Sequence, residues 1–202
     1  DGLLDVSGGK FTITGTNTAD TATISGKAQV TISDGASLKV RETVVKPEGR
    51  LDVNGTLDSS VLLDGTGAML ALGSNNNANV TGNVTIIGGE AILNSTDETP
   101  IGGNLTFNGV SADNALLTVK NDWNFGNAVI MNGAGTINLG AGTTTTIDGI
   151  LSGSGELRVK GGGNLSFTGN SNHTGTIYYG STGSLSLLTD NALGSEGTLF
   201  IG

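Results

Sequence analysis

The chain has no cysteine, two prolines, one histidine and one tryptophan among its 202 residues, and only 13% of them are charged. Each shortage excludes something. Without cysteine there is neither a disulfide nor a thiolate metal site, although the compartment stays open because exported proteins can avoid cysteine too. A single His173 forms no His pair at metal spacing and is the sole candidate base for a nucleophilic triad, and no Gly-x-Ser-x-Gly elbow accompanies it. Ordinary globular domains carry about 25% charge; here Thr, Ser and Asn take that place. With 9 Lys and Arg against 18 Asp and Glu, the net charge is −9, a poor counterion for nucleic acid, an anionic membrane or a sulfated glycan. No apolar run approaches the roughly 18 residues of a membrane-spanning helix.

What the chain does have is glycine, 35 of them, set in a recurring phrase of apolar-x-apolar-x-Gly. It occurs as Leu4-Asp5-Val6-Ser7-Gly8, Phe11-Thr12-Ile13-Thr14-Gly15, Leu51-Asp52-Val53-Asn54-Gly55, Leu105-Thr106-Phe107-Asn108-Gly109, Leu157-Arg158-Val159-Lys160-Gly161 and Leu165-Ser166-Phe167-Thr168-Gly169. Side chains alternate across a strand, so each phrase turns two apolar residues to one face and polar ones to the other before Gly ends it. Gly or a β-branched residue interrupts nearly every window long enough for three helical turns. Further strands are expected at 29–32, 37–40, 60–63, 69–72, 84–87, 91–93, 116–119, 128–131, 136–139, 144–147, 176–179, 184–187 and 198–201.

Strands this short and this frequent suit a coil in which each stacks on its equivalent in the next turn. The matched phrases at Asp5 and Asp52 are 47 residues apart (52 − 5), which suits two turns of roughly 20 to 25 residues. The expectation is an all-β, right-handed parallel β-helix (β-solenoid) of roughly nine turns, a single segment spanning 1–202. Pro47 and Pro100 fall outside the strand phrases and fit corners. Strand-like sequence runs from Leu3 to Ile201 with no polar end cap, as expected of a piece of a longer rod.

Chemistry-bearing residues are sparse. Asp52, Asp58 and Asp64 could serve as a carboxylate cluster for acid/base work only if the strand ran straight between them, and Gly55 and Ser59-Ser60 argue for turns and outward positions. Asp64-Gly65-Thr66-Gly67 lacks the tandem of a calcium roll, and Gly161-Gly162-Gly163 lacks the Lys-Ser/Thr ending of a phosphate loop. Asn75-Asn76-Asn77 reads as a polar loop or stacked amides. Lys39, Arg41, Lys46 and Arg50, interleaved with Glu42 and Glu48, read as a solvated face. Trp123 is core packing or, if exposed, a sugar-stacking platform. Tyr178 and Tyr179 must face opposite ways on a strand, so one is a surface recognition candidate. No catalytic residue, metal ligand or cofactor is assigned, and no enzyme is expected.

From Ile150 to Gly202 a more specific pattern appears: Leu151-Ser152-Gly153-Ser154-Gly155-Glu156-Leu157, then Lys160-Gly161-Gly162-Gly163-Asn164-Leu165-Ser166-Phe167-Thr168-Gly169-Asn170, then Thr174-Gly175-Thr176, Gly183-Ser184-Leu185-Ser186-Leu187, Asn191-Ala192-Leu193-Gly194 and Gly197-Thr198-Leu199. It resembles the autotransporter-associated β-strand repeat of type V secretion passenger domains. His173 stands where that repeat usually has Tyr, and Tyr178-Tyr179 replace a Thr-rich strand. The resemblance implies a bacterial cell-surface or extracellular rod exported through the outer membrane, its parent anchored by a C-terminal outer-membrane β-barrel, with no insertion of this segment into a membrane. An adhesin is the implied role, acting in cell aggregation, biofilm formation or virulence-related host attachment. Its partners would be like passengers on neighbouring cells, or host surface proteins or glycans. A non-binding stalk and a carbohydrate-active β-helix enzyme are the alternatives.

Overall fold

The computed structural model describes residues 2–97 and 99–202, and among them there is no helix. The first two coils carry β1 (Leu3–Val6), β2 (Lys10–Ile13), β3 (Thr16–Thr18), β4 (Thr21–Ile24), β5 (Gln29–Ile32) and β6 (Ser37–Val45). The next hold β7 (Arg50–Val53), β8 (Thr56–Leu63), β9 (Met69–Leu72), β10 (Asn79–Val80), β11 (Val84–Ile86) and β12 (Gly89–Leu93). Then follow β13 (Leu105–Phe107), β14 (Ala115–Val119), β15 (Trp123–Phe125), β16 (Val129–Met131), β17 (Gly135–Leu139) and β18 (Thr144–Ile147). The last are β19 (Leu151–Gly153), β20 (Leu157–Gly161), β21 (Asn164–Phe167), β22 (Thr176–Ser181), β23 (Leu185–Leu187) and β24 (Thr198–Ile201).

These strands stack in parallel into three sheets, making a β-helix of about nine turns. The first sheet runs β1-β4-β6-β8-β11-β13-β16-β19, with β3 and β10 attached beside β6 and β8. The second runs without interruption through β2-β5-β7-β9-β12-β14-β17-β20-β22-β24, and the third is β15-β18-β21-β23. Along the second sheet Thr12, Thr31, Asp52, Ala71, Ile92, Thr118, Asn138, Lys160 and Gly180 stand in register. Successive members are 19 to 26 residues apart, which sets the length of a coil.

The alternation predicted for the glycine phrase holds where coils cover it on both sides. Leu51, Val53, Leu105, Phe107, Leu157, Val159, Leu165 and Phe167 are all buried, and with their stacked neighbours they form one continuous apolar column. At the open start Leu4 and Val6 are partly buried and Phe11 is exposed. One expectation needs correcting. Asp5 lies on β1 opposite Thr23, whereas Asp52 lies on β7 in the second sheet between Thr31 and Ala71. The true equivalent of Leu51-Asp52-Val53 is Phe11-Thr12-Ile13, two coils away, so the 47-residue spacing suggested the right coil length from phrases that never stack.

Two corners are turned differently from the expectation of a short strand ended by Gly. β6 and β8 continue through their corners as single long strands, and their pairing shifts register between Lys39 and Glu42. Such a bulge bends a strand without ending it. Pro47 and Pro100 both sit between strands, as predicted.

Candidate recognition surface

The outward row of the second sheet begins with Lys10 and runs through Gln29, Arg50, Met69, Glu90, Leu116, Thr136, Arg158 and Tyr178 to Phe200. In its first half Gln29, Arg50 and Glu90 are occupied by Asp52 and Thr118 of the adjacent outward row. Asp52 accepts from Gln29 Nε2 at 2.7 Å and pairs with the Arg50 guanidinium at 2.6 Å; that hydrogen bond outweighs partial burial and raises the Arg50 pKa. Thr118 Oγ1 donates to Glu90 at 2.6 Å.

The second half of the row is different. The loop between β13 and β14 folds over the sheet, burying Ala112 and covering Thr136, whose Oγ1 donates to the Ala112 carbonyl at 2.8 Å. Asp113 at the edge of that loop faces Arg158 at 3.8 Å and Lys160 at 4.0 Å, and Arg158 also holds Glu156 at 2.6 Å. Beyond it Arg158 lies 5.9 Å from the Tyr178 ring centroid, and Tyr178 stacks on Phe200 with centroids 5.1 Å apart and planes 12° apart. Tyr178 is 40% and Phe200 52% exposed. Register alone builds this Arg-Tyr-Phe ladder, because residues one coil apart on a parallel sheet face the same way about 4.8 Å apart. Phe200 drew no notice in the sequence; its signal was the 22-residue step from Tyr178.

The structure thus splits the three recognition candidates. Tyr178 is outward, while Tyr179 points inward, buried, with its hydroxyl donating to the Ser184 carbonyl at 2.7 Å. Trp123 is 6% exposed and packs against Phe125 with ring planes inclined at 55°. Its ring belongs to the core and offers no open stacking face.

The remaining sequence candidates take structural positions. Asp52 sits on the second sheet, Asp58 on the face carrying β3 and β10, and Asp64 in the corner after β8, so they do not converge. The basic stretch is largely paired: Lys39 meets Asp58 at 2.7 Å and Arg41 meets Asp20 at 3.5 Å. The hydrogen bond between them raises the Lys39 pKa and lowers that of Asp58. The asparagine run ties coils together, Asn75 Nδ2 to the Asn54 carbonyl at 2.9 Å and Asn77 Nδ2 to Asp34 at 2.9 Å.

His173 is fully buried between the coil carrying β19 and the segment containing Ala192 and Gly194. Neither ring nitrogen has a well-formed hydrogen bond. Desolvation pushes its pKa below the ordinary histidine range, opposed by the nearby backbone of Ser152 and Gly153. Among the described residues no three His, Cys, Asp or Glu side chains gather as a cation site. Comparison with protein-family models, with curated proteins and with solved structures found no match to this chain.

Proposed function

We propose that the chain is a surface-exposed passenger segment of a bacterial autotransporter adhesin, promoting aggregation, biofilm formation or attachment through its outward faces. The observation that carries this reading is the exposed Arg158-Tyr178-Phe200 ladder. It lies within the part of the chain whose glycines and apolar pairs resemble the autotransporter repeat. A rod presents such rows many times over, so weak contacts add through multivalency when two surfaces meet. The partner is a like passenger on a neighbouring cell, or a host protein or glycan. The net charge of −9 opposes pairing of like rods, so aggregation should strengthen with added salt as that repulsion is screened.

The test displays the full parent protein on cells. Settling and biofilm assays should show clumping that Tyr178→Ala with Phe200→Ala reduces several-fold without lowering surface levels. Unchanged clumping on deletion of residues 1–202 would sink the reading. A second reading, a stalk that only holds another domain away from the cell, is favoured by the self-paired charges of the first coils. Loss of display height with full adhesion would select it.

A further inference from the structure

The wall of the rod that carries β3 and β10 and continues as the third sheet is broken between Ile101 and β15. Val80 bridges in parallel to Ile101, and its N–H donates to the Pro100 carbonyl at 2.9 Å. The next strand on that wall, β15, pairs only with β18 and begins a separate sheet. Pro100 has no N–H, so pairing toward the preceding coil is limited to this bridge, and the Ile101 backbone groups on the other side meet no strand. The other two walls stay paired across the break through β11 with β13 and β12 with β14, so the coils do not separate there. Asparagine side chains clamp its flanks: Asn121 Nδ2 reaches the Asn94 carbonyl at 2.7 Å, and Asn127 Nδ2 the Gly102 carbonyl at 2.8 Å.

Between these clamps lies an open cleft of about 470 Å³, lined by Thr99 on one side and by Asp122, Trp123, Asn124, Thr144 and Thr146 on the other. Its volume is within the range of small-molecule sites, about 300–1,000 Å³. Trp123 Nε1 and Thr145 Oγ1, in register on β15 and β18, are both buried without a hydrogen-bond partner. Both side chains turn inward with Phe125 and Ile147, on the face opposite Asn124, Thr144 and Thr146, so the polar groups offered to the cleft are those of the outward residues.

We propose that this break is a binding site for a neutral saccharide. Three hydroxyls, an amide and a carboxylate offer donors and acceptors together, the mixture a polyol needs. Asp122 accepts from the Thr144 N–H through Oδ1 at 2.7 Å, which fixes the carboxylate at the cleft edge. No Lys or Arg lines the cleft among the described residues, so phosphate, sulfate or uronate meets an uncompensated negative charge. An added peptide strand is disfavoured, because β15 has three residues and the paired walls leave no room for another strand between coils. The site is separate from the Tyr178 ladder and stands or falls apart from the adhesion reading.

Trp123 is the only tryptophan, so its emission reports on this site alone. Titration of the 202-residue chain with maltohexaose, mannohexaose and N-acetylchitohexaose, followed by fluorescence and by saturation-transfer NMR, should show at least one binding with a Kd on the order of 1 mM. Asn124→Ala and Thr146→Val should each weaken it several-fold with unchanged unfolding curves. Asp122→Asn should admit tri-galacturonate, which the parent chain excludes. No binding by either method, binding undiminished in both variants, or a response to an extended Thr-Val peptide but to no sugar would each overturn the proposal.

Discussion

The coils that carry β6 and β8 and the later coils from β15 onward turn the corner into the first sheet by different means. In the early coils the corner into the first sheet is turned by continuous strands, β6 and β8, bent at a register shift and held by side chains. Thr43 and Ser59 share a buried hydroxyl hydrogen bond at 3.0 Å, and Lys39 reaches across to Asp58. In the later coils corners are turned by glycines stacked on the backbone of the preceding coil. At that same corner a Cβ placed on Gly149 would collide with the Asn127 carbonyl and one on Gly169 with the Gly149 carbonyl, and at the following corner Gly155 packs likewise on the Gly133 carbonyl. A corner made by side chains needs no repeating sequence, whereas one made by backbone contact admits a single residue type. That is why the later coils read as a recognisable repeat and the earlier ones do not.

The sharpest test of the backbone-contact half of this comparison adds one methyl group at a stacked glycine and one at an open glycine. Gly155→Ala forces backbone apart in the column and should cost at least about 2 kcal/mol, seen as a lower urea midpoint. Gly15→Ala in the first coil meets open space and should change stability by no more than about 0.5 kcal/mol. Equal losses at both sites would mean that contact with the neighbouring coil's backbone is not what requires glycine at position 155.

Next in size is a pH effect confined to the late coils. Buried His173 has its folded pKa lowered by desolvation, so the unfolded chain takes up a proton first as pH falls. Stability should therefore be level above the unfolded value of about 6.5 and decline below it towards the folded pKa, by at most about 1.4 kcal/mol per pH unit. His173→Phe should flatten that slope in unfolding curves collected between pH 7.5 and about 5. A slope that survives the substitution would assign it to other groups.

Smaller effects are expected in the early corner. Thr43→Val removes one hydroxyl while Ser59 Oγ keeps the Ser60 carbonyl at 2.8 Å, so the cost should be about 0.5–1.5 kcal/mol. Smallest of all, Lys39→Ala removes an exposed ion pair and should leave the melting temperature within replicate error in physiological salt. A larger drop from Lys39→Ala than from Thr43→Val would mean that charge, not the buried hydroxyls, holds that bend.

The same contrast explains what was readable. Inward and outward positions were legible because period-two alternation is a local property: Leu157, Val159, Leu165 and Phe167 are buried as the phrase required. The opposed faces of Tyr178 and Tyr179 followed from the same rule. Strands β3, β4, β10 and β15 were not anticipated, since polar or very short segments carry weak alternation and form because a neighbouring coil offers them a ladder. The Asp5 and Asp52 phrases looked equivalent for the converse reason, as strands of different sheets share one local pattern.

The sequence by itself determined that the chain alternates, turns often at Gly and stacks in coils of about twenty residues. It also determined which side chains fill the column. Only the tertiary structure decided which strands are neighbours, since that depends on the summed length of three strands and three corners rather than on any local pattern. It placed Phe200 over Tyr178, sealed His173 between coils, and set the buried Trp123 beside a cleft opened where β15 does not pair with the preceding coil. Each of these is a contact between residues about twenty or more positions apart, and no window short enough to show alternation contains both partners.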